Sequence, residues 1–148
     1  MMKSNLVCVD ASLALKWLLV SQKEAVSDSL LRDWNANNFE FVCPPLFHPE
    51  ITTGIRKQVY FKQISSEAGE EAFQAYLTLP ISEIGGTSVY RKAWELAKKI
   101  NLPRTYDMQY LAVAELEDCE LWTADERLFN ACSGKNKRIR WIGELAGA

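Results

Sequence analysis

Two carboxylic acids of this 148-residue chain directly follow apolar runs that are typical of buried strands. Asp10 comes after the run at residues 6–9, and Asp125 comes two residues after the run at 119–123. Short apolar runs that end at polar residues predict strands of a parallel sheet. Because the carboxyl ends of parallel strands meet at one edge of a sheet, we expect the two acids to lie on the same edge.

Two further acids fall near the starts of predicted helices. Asp107 lies in the first turn of a helix predicted at 106–115, and Glu50 lies in the first turns of a helix predicted at 46–60. Glu50 stands just beside the apolar stripe of its helix, so it can border the core and still reach a cleft. Helix N-termini favour nearby negative charge, and these acids therefore stay ionised at little cost.

Each acid also has an ordinary structural interpretation. Asp10 could be only a helix N-cap, and Asp125 could be only an N-terminal acid beside the capping box at 123–126. Asp107 could merely complement a helix dipole, and Glu50 could be an exposed helix residue. Taken singly, these interpretations are at least as frequent as a functional one.

The combination of acids favours a metal site. Apolar runs flank Asp10, Asp107 and Asp125, and no Lys or Arg falls at a matching strand end. Carboxylates pushed toward an apolar interior need cations or hydrogen bonds. Hard divalent cations with oxygen ligands are the natural counterion, and Mg²⁺ or Mn²⁺ suits a sparse carboxylate site completed by water and phosphate.

The elements that position these acids alternate along the chain. Strands are predicted at 6–9, 39–43, 79–84, 119–123 and 139–142, and helices at 11–19, 24–35, 46–60, 67–77, 88–100, 106–115 and from 125 onward. This alternation predicts an α/β fold with a mostly parallel sheet of about five strands covered on both faces. The sequence has no linker, repeat or composition break, and we expect a single domain over residues 1–148.

Composition excludes several classes of protein. A net charge of −2, from 17 basic and 19 acidic residues, excludes a strongly basic nucleic-acid binder. His48 is the one histidine, so zinc sites with two or three histidines cannot form within the chain. The four cysteines form no C-x-x-C pair, and no apolar stretch approaches the length of a membrane span. We therefore expect a reduced, cytoplasmic setting without a membrane partner.

Four short motifs occur in an order that is found in a known family. They are Val-Asp-Ala-Ser at 9–12, Pro-Leu-Phe-His-Pro-Glu-Ile at 45–51, Tyr-Asp-Met-Gln-Tyr-Leu-Ala-Val-Ala-Glu at 106–115 and Leu-Trp-Thr-Ala-Asp-Glu-Arg-Leu at 121–128. Together they resemble the PIN-domain family, and within it the VapC-type toxin ribonucleases. The resemblance covers nearly the whole chain.

The resemblance implies a fold, a reaction and a set of site residues. The implied fold is a three-layer α/β/α sandwich, and the implied reaction is Mg²⁺- or Mn²⁺-dependent hydrolysis of phosphodiester bonds in RNA. The implied partners are an RNA substrate, a cognate antitoxin and a second copy of the chain. By motif, the metal-binding and catalytic acids would be Asp10, Glu50, Asp107 and Asp125, with the hydroxyls of Ser12 and Thr123 in support.

The sequence departs from the family pattern at Gly54, where many members carry Asn. Two other functions remain open: a non-catalytic PIN-like binding module, and a phosphatase or receiver domain. The sequence Asp10-Ala11-Ser12 lacks the Asp-x-Asp pair that the phosphatase needs.

Several other residues have more than one possible role. The cations at 16, 57, 104 and 127 and the basic segment 135–140 could contact RNA or stay solvated, and the tryptophans are predicted mainly in the core.

Overall fold

The computed structural model describes residues 5–146 and contains five strands and eight α-helices in that range. The strands are β1 (Leu6–Val9), β2 (Glu40–Cys43), β3 (Ile81–Glu83), β4 (Glu120–Thr123) and β5 (Ile139–Trp141). The helices are α1 (Ala11–Leu18), α2 (Ala25–Ala36), α3 (Phe47–Tyr60), α4 (Ser66–Leu77), α5 (Thr87–Ile100), α6 (Met108–Leu116), α7 (Glu126–Cys132) and α8 (Gly143–Ala146). The two ends of the predicted domain, 1–4 and 147–148, lie outside the described residues.

The five strands form one parallel sheet in the order β3-β2-β1-β4-β5. The chain builds outward from β1 to β3 and then returns to the other side of β1 with β4. Such a reversal leaves a crevice at the carboxyl ends of the two strands where it occurs. Val9 is paired with Trp122 across β1 and β4, so the residues that follow both strands open into this crevice.

Helices cover both faces of the sheet, which confirms the predicted three-layer α/β/α architecture. On one face α6 packs against β1, and the Cys8 thiol lies 3.5 Å from the carbonyl oxygen of Tyr110. On the opposite face the ring of Phe41 packs against Trp17 of α1 and Trp34 of α2. Aromatic pairs at such edge and tilted geometries stabilise a core beyond the area that they bury.

Three details of the sequence interpretation were wrong. The third strand is confined to Ile81–Glu83 at the sheet edge, because Pro80 has no amide hydrogen to add to the ladder. The short α8 and the 3-10 turn Val20–Gln22 were not predicted. Trp94 is 55% exposed, because it lies outside the buried stripe of α5 that contains Val89 and Ala93.

Within residues 5–146, no helix combines the length and the apolar character that crossing a bilayer requires.

Candidate active site

Asp10 is the most buried acid of the predicted set, with 5% of its surface exposed. It ends β1 and caps α1, and its Oδ1 accepts hydrogen bonds from the backbone N–H of Leu13 at 3.0 Å and the hydroxyl of Ser12 at 2.7 Å. Its Oδ2 accepts from the hydroxyl of Thr123 at 2.5 Å. Burial raises the pKa of Asp10 to about 6, although these three bonds act to lower it. Asp10 therefore caps a helix, and its burial disfavours the ionised form of its carboxyl group.

Ser12 and Thr123 tie the end of β1 to the end of β4. The buried Thr123 hydroxyl accepts from the backbone N–H of Asp125 at 2.9 Å and lies 3.2 Å from the Ser12 hydroxyl. The Ser12 oxygen in turn accepts from the backbone N–H of Ala124 at 3.1 Å. The predicted capping box at 123–126 is wrong, because the Thr123 side chain faces Asp10 and cannot cap α7.

Asp125 is the residue that caps α7. Its Oδ1 accepts from the backbone N–H of Arg127 at 3.0 Å and of Leu128 at 3.3 Å. The Arg127 guanidinium lies 4.0 Å from the same oxygen, but its side chain is 95% exposed. A cation so fully solvated neutralises little of the carboxylate charge. That charge acts on the other acids, since it contributes to the raised pKa of both Asp10 and Asp107.

Glu50 is held from across the cleft by a residue that the sequence analysis missed. It is partly buried in the first turn of α3, and its Oε1 accepts a hydrogen bond from the hydroxyl of Tyr110 in α6. Burial raises the pKa of Glu50, the Tyr110 bond acts to lower it, and the charge of Asp107 raises it further. Tyr110 could have been found as the hydroxyl three residues after Asp107 in an otherwise apolar helix, a spacing that places both on one face.

Asp107 differs from the other three acids because it is exposed, and no hydrogen bond to its carboxylate is present within residues 5–146. Partial burial of the carboxyl group raises its pKa, the charge of Asp125 raises it further, and Arg127 acts to lower it. The charge of Asp125 raises the pKa of Asp10 and of Asp107, and the charge of Asp107 raises the pKa of Glu50, so each of the four acids lies near at least one other.

The four acids do not form a preassembled metal site. Over the described part of the chain, no group of three or more His, Cys, Asp or Glu side chains is arranged to hold a metal ion. Mg²⁺ is commonly bound in enzymes by one or two carboxylates, several waters and the phosphates of the substrate. Four carboxylates that lie near one another fit that mode of binding in their donor chemistry.

The basic residues near the acids divide into paired and unpaired ones. Lys16 forms an ion pair with Glu24 at 2.6 Å. Lys57 and Arg104 each line a cavity that contains Glu50, and neither forms an ion pair within residues 5–146.

The basic segment 135–140 is largely engaged elsewhere. Arg138 bonds Asp118 at 2.9 Å, and Arg140 lies 3.4 Å from Glu120. These contacts favour the structural interpretation of that segment.

His48 and Gly54 have structural explanations. Nδ1 of His48 lies 2.6 Å from the hydroxyl oxygen of Tyr76, and its Nε2 lies 3.5 Å from Glu83. A Cβ at Gly54 would come within 2.7 Å of the Leu15 side chain, so glycine permits the close approach of α1 and α3 there.

Comparison with known proteins identifies the family. The family model of the PIN domain matches residues 7–134. A VapC ribonuclease of Mycobacterium bovis is 30% identical over 83% of this chain and 88% of its own length, and ribonuclease VapC9 of Mycobacterium tuberculosis matches equally well.

Solved structures share the fold. A toxin–antitoxin complex from Klebsiella pneumoniae superposes with a TM-score of 0.66 at 14% identity, covering 92% of this chain and 97% of the other. VapBC2 from Rickettsia felis, bound to a DNA fragment of its promoter, gives a TM-score of 0.66 at 12% identity, covering 92% and 98%. The chain belongs to the PIN-domain family, as a VapC-type member.

Proposed function

We propose that the chain is a metal-dependent endoribonuclease, the toxin of a VapBC-type pair, which hydrolyses phosphodiester bonds in RNA. The observation that carries the proposal is the group of four neighbouring acids that includes the buried Asp10, which has no cationic partner within residues 5–146. Relatives that are 30% identical over most of the chain are ribonucleases by name, which supports the same substrate class here.

Asp10, Glu50, Asp107 and Asp125 are the proposed ligands of Mg²⁺ or Mn²⁺. When bound, such a cation lowers the pKa of a coordinated water and stabilises the charge that develops on the phosphate. Burial without a cation explains the raised pKa of Asp10, and a divalent ion would favour its ionised form.

Neighbouring hydrogen-bond donors hold the carboxylates of three of the four acids in position. Ser12 and Thr123 fix the Asp10 carboxylate, backbone N–H groups of α7 fix Asp125, and Tyr110 fixes Glu50. Asp107 carries no such bond within residues 5–146 and reaches solvent. We assign Asp107 the additional role of accepting a hydrogen bond from the attacking water, which orients its lone pair toward phosphorus.

Carboxamide variants test the proposal. Asp10→Asn or Asp125→Asn should leave the fold intact and lower metal-dependent cleavage of single-stranded RNA by about 100-fold or more, since loss of even an outer-shell partner costs about 10- to 100-fold. Asp33→Asn, on the exposed side of α2, is the matched control and should cleave normally. Both site variants cleaving as well as the control would refute the proposal. Binding of Mn²⁺ without any cleavage would favour the non-catalytic module.

An antitoxin is part of the proposal because one solved structure that shares this fold is a toxin–antitoxin complex by title and another is named VapBC2. Co-expression with the protein encoded beside it should give a stable complex with lowered RNA cleavage. Separate elution of the two proteins would count against this partner.

A homodimer is also proposed. Three large apolar side chains near the C-terminal end of α3 are more than half exposed: Val20, whose neighbour Ser21 bonds Gln58, and Tyr60 and Phe61. Unpartnered apolar surface of this kind is typical of association sites. A monomeric mass by light scattering at micromolar concentration would exclude the dimer.

We place the protein in the cytoplasm. The four cysteines are buried free thiols, which a reducing compartment maintains. Cell fractionation followed by immunoblotting tests this location.

A further inference from the structure

Two cavities flank the Glu50 side chain. One, of about 350 Å³, lies along α3 and contains Thr53 and Lys57. The other, of about 480 Å³, lies between the start of α3 and the loop that joins α5 to α6. Glu50 and Asp107 form one side of this larger cavity, and Leu46, Leu102, Arg104 and Tyr106 contribute to the rest. The larger cavity is within the usual range of ligand pockets, roughly 300–1,000 Å³.

The larger cavity combines three kinds of surface that a nucleotide uses. Tyr106 is 59% exposed and lines this cavity together with the proposed site acid Asp107. Leu46 and Leu102 add partly buried apolar surface. Stacking on an aromatic ring is available to every base, because each base has a π-face.

Arg104 supplies the positive charge of the larger cavity. It is exposed, lines the same cavity and forms no ion pair within residues 5–146. A guanidinium binds phosphate through paired N–H donors. Arg104 would attract the backbone phosphate next to the one being cleaved. Because it forms no ion pair with the four acids in the described part of the chain, it would not neutralise their charge.

We propose that this cavity is a nucleotide subsite next to the scissile phosphate, in which Tyr106 stacks on an RNA base and Arg104 binds the adjoining phosphate. The inference rests on the proposed ribonuclease function and narrows the substrate class to single-stranded RNA. A base within a duplex is stacked on its neighbours and is not free to enter such a cavity. The cavity with Lys57 continues the path of the strand on the other side of Glu50.

The stacking role is tested by moving a single abasic nucleotide along a short single-stranded RNA. The wild-type protein should lose affinity at one position beside the cleavage site, and Tyr106→Ala should be insensitive to the change at that position. Tyr106→Ala should also raise KM by about five- to a hundredfold on intact RNA, which is the usual range for one lost stacking contact. Tyr106→Phe keeps the ring and should restore KM. Tyr90→Ala, which removes a 52% exposed ring from α5, is the matched control.

The proposed contact of Arg104 with a phosphate is tested by the salt dependence of RNA binding. Binding of RNA is measured by fluorescence anisotropy over a range of salt concentrations, in an Asp10→Asn background that keeps the RNA intact. Arg104→Ala should reduce the slope of log affinity against log salt by about 0.7, the value for one phosphate contact on a single strand. Arg104→Lys should retain the slope.

The outcomes separate the subsite from the proposed function. Wild-type cleavage of RNA with identical abasic profiles for Tyr106→Ala and Tyr90→Ala would overturn the subsite and leave the ribonuclease standing. A position-specific abasic effect that depends on Tyr106, together with no cleavage by the wild type, would support the subsite and overturn the enzyme. Equal affinity for duplex and single-stranded RNA, or no RNA binding, would overturn the subsite.

Discussion

Replacing the buried carboxylate of Asp10 should stabilise the metal-free protein. Burial raises the pKa of Asp10 from 3.8 to about 6, so the folded protein holds this proton more tightly than the unfolded chain does. Stability therefore falls as pH rises through the window between these two values. Each pKa unit corresponds to about 1.36 kcal/mol, and the ionised carboxyl costs the folded state about 3 kcal/mol at neutral pH.

Asp10→Asn removes this cost and keeps the local geometry. Asparagine caps a helix as well as aspartate does, so the bond to the Leu13 N–H is retained. The new amide can donate to the Thr123 oxygen, whose hydrogen can then turn toward Ser12 at 3.2 Å. In EDTA, the variant should be more stable than wild type by about 1 kcal/mol at about pH 4.5 and by about 3 kcal/mol at about pH 7.5.

Urea unfolding followed by tryptophan fluorescence measures this difference at each pH. The exposed Asp33→Asn is the control and should follow wild type at every pH. Added Mn²⁺ should reverse the order, because metal at a thousandfold excess over its Kd stabilises a binding-competent protein by about 4.1 kcal/mol and should do little for Asp10→Asn. Equal or lower stability of Asp10→Asn in EDTA at neutral pH would refute the reasoning.

Three further outcomes are expected. Thr123→Val removes a buried hydroxyl that donates to Asp10, and it should raise the Asp10 pKa above about 6, measured by carboxyl NMR titration, and cost about 1–3 kcal/mol in urea unfolding. Tyr110→Phe removes the donor to Glu50, and the acid limb of the pH–rate profile should move to higher pH because that bond lowers the Glu50 pKa. The single domain predicted over 1–148 should unfold in one transition, with coincident fluorescence and circular dichroism curves.

The placement of the strands and of the acids after them could be predicted from sequence because both depend on local pattern. The apolar run before Asp10 fixes a strand, and the parallel arrangement sends its carboxyl end to the crevice. Parallel strands need a crossover connection, which is usually a helix. Strands that alternate with helices along the chain are therefore expected to pair in parallel. The positions of Asp10 and Asp125 on one edge follow from these two facts.

The roles of the supporting side chains could not be predicted because their partners are remote in the chain. Thr123 has the local spacing of a helix cap, yet its hydroxyl bonds Asp10, 113 residues away. Tyr110 reaches Glu50, 60 residues away, and only the tertiary fold brings these side chains of α6 and α3 together. Local pattern gives each residue its candidate partners, and tertiary packing selects among them.

The differing environments of the four acids favour a division of labour in the proposed enzyme. Asp10, Asp125 and Glu50 are each held by donors that belong to rigid elements, so their carboxylates are oriented before any ligand arrives. Preorganised charge avoids reorganisation at the moment of reaction. Asp107 lacks such donors within residues 5–146, is exposed and borders the cavity of Tyr106. The acid without such donors therefore borders the cavity proposed for the nucleotide, which is where a group that orients water on a bound phosphate has to be.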